Sequence, residues 1–470
     1  MNKDIPVESY YFDPRVFTNT SGFPDPGEIK IYDATLRDGE QSPGLAFTPA
    51  QKLEIAEALS DIGVHIIDLG FPFSSATEAE SLKLIVEARK QGRIRSDLEF
   101  TVCCRADRRD IDATIKALAE IGAGPDEVTF TILTSASDIH LKHKLGPMLI
   151  KREGRDAAEA EKLPISFYRE SNLRMIQEVV SYAKSQGVHH MELAAEDASR
   201  SHIDYLIRLV KIAVDAGVER YGFADTTGSL TPESTQFYLV QLRKSLGKLP
   251  ILTHFHNDFD LATINTIIAL SLGIPIFSCT VNGIGERAGN TSLHAVVVAL
   301  KLLYDITIPN FKYEKLWELR QLVERISGLP LQAHEPVVGI NTFAHESGIH
   351  VHGVMTHPRT YEPIPPELVG GERRFVFGKH GGTGLVRAFL EKQGVEFENE
   401  EGEVTDILVQ QVLAGIKELR EQRAEEGVTY RIVDDYYKSL AQLEITDKEV
   451  LAIARAHVLL VITQTLEQAV

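Results

Sequence analysis

Short β-rich runs alternate with helix-compatible stretches through the first two-thirds of the chain, and this alternation constrains the fold more than any other feature. The runs are IKIYDAT, HIIDLG, EFTVCC, EVTFTIL, HMELAA, RYGFAD, ILTHFHN and IFSCTVNG. Intervening segments such as PAQKLEIAEALSDIG and SHIDYLIRLVKIAVDAG repeat apolar residues at intervals of three and four. Eight strand–helix units in about 280 residues predict a closed (β/α)8 TIM barrel, which suits them better than an open, doubly wound sheet. Past the barrel, helical periodicity returns near residue 301 and again from 383, so a helical C-terminal region is expected.

Every run ends in a residue with chemistry: Asp33 followed by Arg37 and Asp38, then Asp68, Arg105, Thr134, Glu196, Asp225 with Thr226, His254 with His256, and Asn282. One polar residue at a strand end is ordinarily a loop cap, but barrel enzymes build their sites at this C-terminal rim, so the convergence matters. In THFHNDFD, alternation along a strand sends His254 and His256 to the same face, where one carboxylate could complete a metal site. Asp38, in DATLRDGEQ, is that carboxylate, and Asn290, in GIGERAGN, could add an oxygen. This donor mix admits Mn²⁺, Mg²⁺ or Zn²⁺. A cation so held polarises a carbonyl, and Arg37 could stabilise charge developing on the same oxygen. The residues alone thus lead to a metal-assisted reaction at a carbonyl, with enolate chemistry, and leave the substrate open.

Composition narrows the partners. A length of 470 residues allows two or more domains, and a net charge of −18 argues against a nucleic-acid partner. No apolar run reaches membrane-spanning length, and MNKDIPVESYYFDP lacks the apolar core of a secretory signal. Three cysteines, two of them adjacent, make no disulfide framework, so a cytoplasmic location is expected. The charged segment 146–164, which ends in proline, reads as a surface excursion or mobile flap.

Four motifs in order, DATLRDGEQSPG, HFHNDFDLA, TVNGIGERAGN and NTFAHESGIH, resemble the family of metal-dependent acyl-CoA condensing enzymes that includes 2-isopropylmalate, homocitrate and citramalate synthases. The resemblance spans roughly residues 29–381 and is strongest to the 2-isopropylmalate synthases. It implies Asp38, His254 and His256 as metal ligands, with Asn290 in a fourth position. It further implies Arg37 on the keto-acid oxygen, Thr226 on its carboxylate, Glu196 as an acidic site residue, and His350 with Tyr361 in proton transfer. In the family those last two arrive from the partner subunit of a domain-crossed homodimer. The implied division is an N-terminal arm (1–28), the catalytic barrel (29–305), a linker and subdomain serving the partner's active site (306–382) and a helical subdomain (383–470). The implied reaction joins acetyl-CoA, as co-substrate, to a 2-oxo acid by Claisen-type condensation and then hydrolyses the thioester.

Ala194, a small side chain two residues before Glu196, leaves space for a branched substrate, and His140 in SASDIHLKHKL matches the 2-isopropylmalate synthase pattern where homocitrate synthases tend to show an arginine. Both favour 2-oxoisovalerate. Arg105, Lys142 and Lys144 keep an anionic side group in view, so homocitrate, citramalate or phosphonomethylmalate synthesis stands as the alternative. The chain departs from the usual pattern in the VHG after SGIH, in FGKHGGTG and in 146–164, and with its end at Val470 no leucine feedback of the usual kind is expected. A cleaving lyase of related fold would carry a reactive cysteine in GIGERAGNTS, which has none, and a carboxyltransferase would want a lysine ligand where Glu196 stands. A non-catalytic metabolite-binding barrel is the reading of a different class.

Overall fold

The computed structural model describes residues 13–392 and 406–426, with Ile432, Asp435, Lys438 and Ser439. The expected segments 1–28 and 383–470 therefore lie partly outside the described residues. Eight parallel strands close a barrel in sequence order: β1 (Lys30–Asp33), β2 (Ile66–Asp68), β3 (Glu99–Arg105), β4 (Thr129–Ser135), β5 (Met191–Glu196), β6 (Arg220–Asp225), β7 (Ile251–Phe255) and β8 (Ile276–Cys279). Closure is made by β1 against β8, with Lys30 opposite Ile276 and Asp33 opposite Cys279. The strands are buried on both faces, as parallel strands under a helical layer must be.

Local sequence sets where the outer helices begin and end. Thr48 and Gln51 form a reciprocal capping box at the start of the helix Pro49–Ile62, whose proline fits the first turn. Gly63, at φ 106°, ends that helix in a conformation other residues avoid. The helix Ile203–Ala216 buries Tyr205, Leu206, Leu209, Val210 and Ala213, the stripe that its periodicity predicts.

The barrel interior is not uniformly apolar. Tyr32 Oη lies 2.8 Å from Thr101 Oγ1, and Arg220 is held between Glu99, at 2.8 Å, and Glu192. Burial pushes the Glu192 carboxyl up against the pull of Arg220.

Segment 146–164 corrects an expectation. It contains the helix Gly146–Arg152 and a 3-10 helix, Ala157–Lys162, instead of a loose flap. Leu149 and Ile150 are buried, and Tyr168 Oη donates to Ala160 O at 2.8 Å. Its charged residues dominate the composition, but Leu149 and Ile150 decide the structure by packing inward, while Pro147 and Met148 stay exposed.

The described residues divide into two compact units. The first comprises the barrel together with residues up to 342 and 364–372. The second comprises 43–46, 343–363 and residues from 373 onward. Within it, β9 (Ala344–His345) pairs in parallel with β10 (Arg374–Phe375), and the helix Gly348–Thr356 follows β9. The helices Thr383–Lys392 and Asp406–Glu425 bury Val386, Leu390 and Val409 between them, which gives the C-terminal region its helical core.

Candidate metal centre and active site

The turn after β1 carries Arg37 and Asp38, and a buried lysine fixes it. Lys52, fully buried, donates to Leu36 O at 3.1 Å and pairs with Glu40 at 2.6 Å and with Glu78. An unpaired ammonium there would be costly, so the two carboxylates and the carbonyl satisfy it together. Asp33 Oδ1 accepts Thr35 N–H at 2.9 Å and tightens the same turn. Its own carboxyl is raised to about 7, chiefly by burial.

Asp38 is 2 % exposed. Its Oδ2 lies 3.2 Å from His254 Nε2 and 3.6 Å from His256 Nε2, and the two Nε2 atoms are 3.3 Å apart. Among the described residues, Asp38, His254 and His256 form the group whose ligand atoms converge within 4.8 Å. His254 lies on β7; His256 follows it and bridges to Asn290 in antiparallel fashion. Strand alternation thus delivers both rings inward, as the sequence implies.

The electrostatics suit a cation. Burial would raise the Asp38 carboxyl, but Arg37 and the two imidazoles hold it well below the usual range, so it stays ionised. Burial, with His254 nearby, lowers His256 to about 4, which keeps its ring neutral. Two imidazoles and a carboxylate turned to one point concentrate lone pairs that a divalent cation would share. Asn290 Oδ1 is a buried oxygen with no hydrogen-bond partner, while Asn290 Nδ2 donates to Ile284 O at 3.2 Å. The residues present therefore fit a metal ion. Gly285 explains how the GIGERAGN loop closes on this point: a β-carbon there would collide with Asn290 Nδ2 and stand 3.1 Å from Asp38 Oδ1. That same oxygen accepts Glu286 N–H at 3.2 Å.

Arg37 bridges Asp38 Oδ2 at 2.9 Å and Asp68 Oδ2 at 2.8 Å. Burial alone would favour loss of its charge, and the two carboxylates more than offset this. A cavity of about 700 Å³ opens beside these groups, with Arg37, Ala194, Glu196 and Thr226 on its wall. Glu196, at the end of β5, pairs with Lys144 and lies 3.4 Å from Ser135 Oγ. Thr226 Oγ1 accepts Asp197 N–H at 2.8 Å. His140 does not line the cavity; its Nδ1 is 3.8 Å from Glu196 and its Nε2 3.6 Å from Asp197. His350 and Tyr361 belong to the second compact unit, where their rings stack at 4.0 Å and 19°.

The structure adds Ser278, Met148 and Met175, which the sequence reading left out of the site, and gives the strand-end residue Asp68 a partner there. Ser278 Oγ, on β8, is 3.0 Å from His254 Nδ1, and Asp68 anchors Arg37. Met148 and Met175 line the cavity wall. Strand parity could have pointed to Ser278, since it faces inward with Ile276, but its pairing with His254 depends on β7 lying beside β8.

Comparison with known proteins agrees with this geometry. Residues 28–323 match the HMGL-like family model, and residues 337–424 match a homocitrate synthase post-HMGL domain-like model. A 2-isopropylmalate synthase of Methanocaldococcus jannaschii is 40% identical over 371 residues, covering 79% of this chain and 64% of that protein, so the chain spans less than two-thirds of that relative's length. A putative (R)-citramalate synthase of Methanopyrus kandleri is 38% identical, covering 89% of this chain and 75% of the relative. A homocitrate synthase of the same organism is 39% identical, covering 85% and 89%. In fold, a hydroxymethylglutaryl-CoA lyase from Pseudomonas aeruginosa superposes with a TM-score of 0.51 at 16% identity, covering 66% of this chain and 95% of the lyase. The barrel, its rim and these matches together establish that the chain belongs to the HMGL-like family.

Proposed function

We propose that the chain condenses acetyl-CoA with a 2-oxo acid in a Claisen-type reaction and then hydrolyses the thioester. The observation that carries this reading is the convergence of Asp38, His254 and His256 on one point beside Arg37. The relatives' names support the same reaction class and differ in the oxo acid used. In balance, acetyl-CoA, R–CO–COO⁻ and water give R–C(OH)(CH₂COO⁻)–COO⁻, free CoA and a proton.

Asp38, His254, His256 and Asn290 would hold a divalent cation, for which we favour Mn²⁺; when bound it supplies Lewis acidity toward the oxo group. Arg37 has two donors engaged by Asp38 and Asp68, leaving further N–H groups for the oxo oxygen as it gains charge. Because Thr226 Oγ1 already accepts a backbone N–H, its hydroxyl proton is free to donate to the substrate carboxylate. Glu196, steadied by Lys144, orients the acetyl group or the hydrolytic water. His350 and Tyr361 move the proton taken from the acetyl methyl, and we place them across a domain-crossed homodimer.

For the oxo acid we favour 2-oxoisovalerate, which would make the product 2-isopropylmalate and the setting leucine biosynthesis in the cytoplasm. The support is a wall of small and apolar residues, Ala194, Gly222 and Ala224 with Leu133 and Leu252, suited to a branched alkyl group. His140 then acts on the substrate through Glu196 and Asp197. The test is release of free CoA thiol with acetyl-CoA, Mn²⁺ and, in separate reactions, 2-oxoisovalerate, pyruvate and 2-oxoglutarate. Fastest release with 2-oxoisovalerate supports the substrate assignment; no release with any oxo acid removes the synthase reading.

A further inference from the structure

Thr226, on the turn after β6, is held from two sides by residues whose backbones lie in the left-handed region. Among the described residues seven non-glycines have positive φ, and two of them, Asp197 at 58° and Arg287 at 57°, hydrogen-bond to this one threonine. Asp197 donates its backbone N–H to Thr226 Oγ1 at 2.8 Å, and the Arg287 guanidinium donates to Thr226 O at 2.7 Å. A side-chain-bearing residue keeps such a conformation only where its surroundings over-determine it. Both do. The fully buried Asp197 carboxylate accepts Arg200 Nε at 2.8 Å and Arg200 Nη2 at 2.7 Å, and takes the hydroxyl of Ser137 as well. Asp258 grips Arg287 in a fork, Oδ1 to Nε and Oδ2 to Nη2, each at 2.8 Å. The turn does not need these clamps to form, because Asp225 already accepts the N–H groups of Ser229 at 3.1 Å and Leu230 at 3.0 Å.

We propose that Asp197 and Arg287 are positioning residues that fix the Thr226 hydroxyl for the carboxylate of the 2-oxo acid. The inference rests on the synthase reading and deepens it. A hydroxyl has one proton and two acceptor lone pairs, and it rotates to suit its partners. Here Asp197 occupies a lone pair and Arg287 holds the main chain at the carbonyl, so the group is set on the cavity wall before the substrate arrives. Binding then orders one rotor fewer, and the strain at two backbone positions serves the site instead of the fold.

The test is a double-mutant cycle on calorimetric binding to the full chain loaded with Mn²⁺, using whichever of 2-oxoisovalerate, pyruvate and 2-oxoglutarate binds tightest. It needs neither acetyl-CoA nor turnover. Thr226→Val, Asp197→Ala and Arg287→Gln are each expected to weaken binding about tenfold, the scale of one hydrogen bond to a charged group. In the Thr226→Val background the other two should add less than about a twofold loss, because both act through that hydroxyl. Asp197→Asn, which tolerates the left-handed backbone and still accepts from Arg200, should recover affinity to within about threefold of the unaltered protein. Arg287 is partly exposed, so its arm of the cycle decides the matter even where Asp197→Ala does not fold. Losses that multiply to about a hundredfold in the double variants overturn the proposal, since they would give each residue an effect independent of Thr226. Unchanged affinity in the single variants overturns it as well, and so does a fall in Mn²⁺ affinity that accounts for the weaker binding. If the unaltered protein binds none of the three oxo acids, it is the synthase reading that fails, a result no comparison among variants can mimic.

Discussion

Ser278 Oγ stands 3.0 Å from His254 Nδ1, on the side of the ring opposite the Nε2 atom that faces Asp38. A metal-binding Nε2 is unprotonated, so the neutral ring carries its proton on Nδ1 and Ser278 accepts it. Ser278→Ala should therefore fold normally yet bind Mn²⁺ about 10- to 100-fold more weakly, as measured by titration of the electron paramagnetic resonance signal of free Mn²⁺. Unaltered affinity would show that the ring needs no such anchor.

Removal of a ligand should take metal and activity together. Asp38→Ala and His254→Ala are each expected to lose bound metal in elemental analysis and to lower the condensation rate by at least about 10²-fold. Substantial activity in either metal-free variant would rule out the Lewis-acid role.

A third expectation concerns pH and lies away from the site. His65 Nδ1 accepts Ile31 N–H at 3.1 Å between β1 and β2, an interaction open only to the unprotonated nitrogen. Burial, with Arg95 and Lys30 nearby, lowers His65 to about 4 from an ordinary 6.5. Between those values the unfolded chain binds the proton and the folded chain does not. The contribution of His65 is thus present above pH 6.5 and is lost as pH falls toward 4, by up to about 3 kcal/mol. His65→Asn, which can still accept the N–H, should show a shallower loss of stability over this window in urea unfolding. Identical pH profiles would contradict the assignment.

Sharing of sites between subunits has a simple complementation test. His350→Ala and Arg37→Ala should each be nearly inactive. Subunit exchange between equal amounts should then recover about a quarter of wild-type activity, because half the dimers are mixed and each holds one intact site. No recovery after demonstrated exchange would place both residues in one subunit's site.

Much of this is legible in the sequence because its causes are local. Periodicity gives strands and helices, and strand parity alone puts His254 and His256 on one face. The barrel order then brings Asp38 to them. Ser278 escapes assignment, and Asp68 is placed at the rim without a role, because both pairings depend on which strands are neighbours, a long-range fact. The segment 146–164 departs from the flap its composition suggests because burial of Leu149 and Ile150 outweighs a larger number of charged residues once they find a surface to cover. Tertiary context also explains the Glu99–Arg220–Glu192 group, whose three residues lie on different strands and meet only when the barrel closes.

The central claim is carbon–carbon bond formation at the acetyl methyl, and acetyl-CoA labelled as CD₃ tests it most directly. With 2-oxoisovalerate and Mn²⁺, mass spectrometry of the product should show two of the three deuterons retained, since condensation removes one. Absence of a condensed product, or a product that keeps all three, would contradict the account.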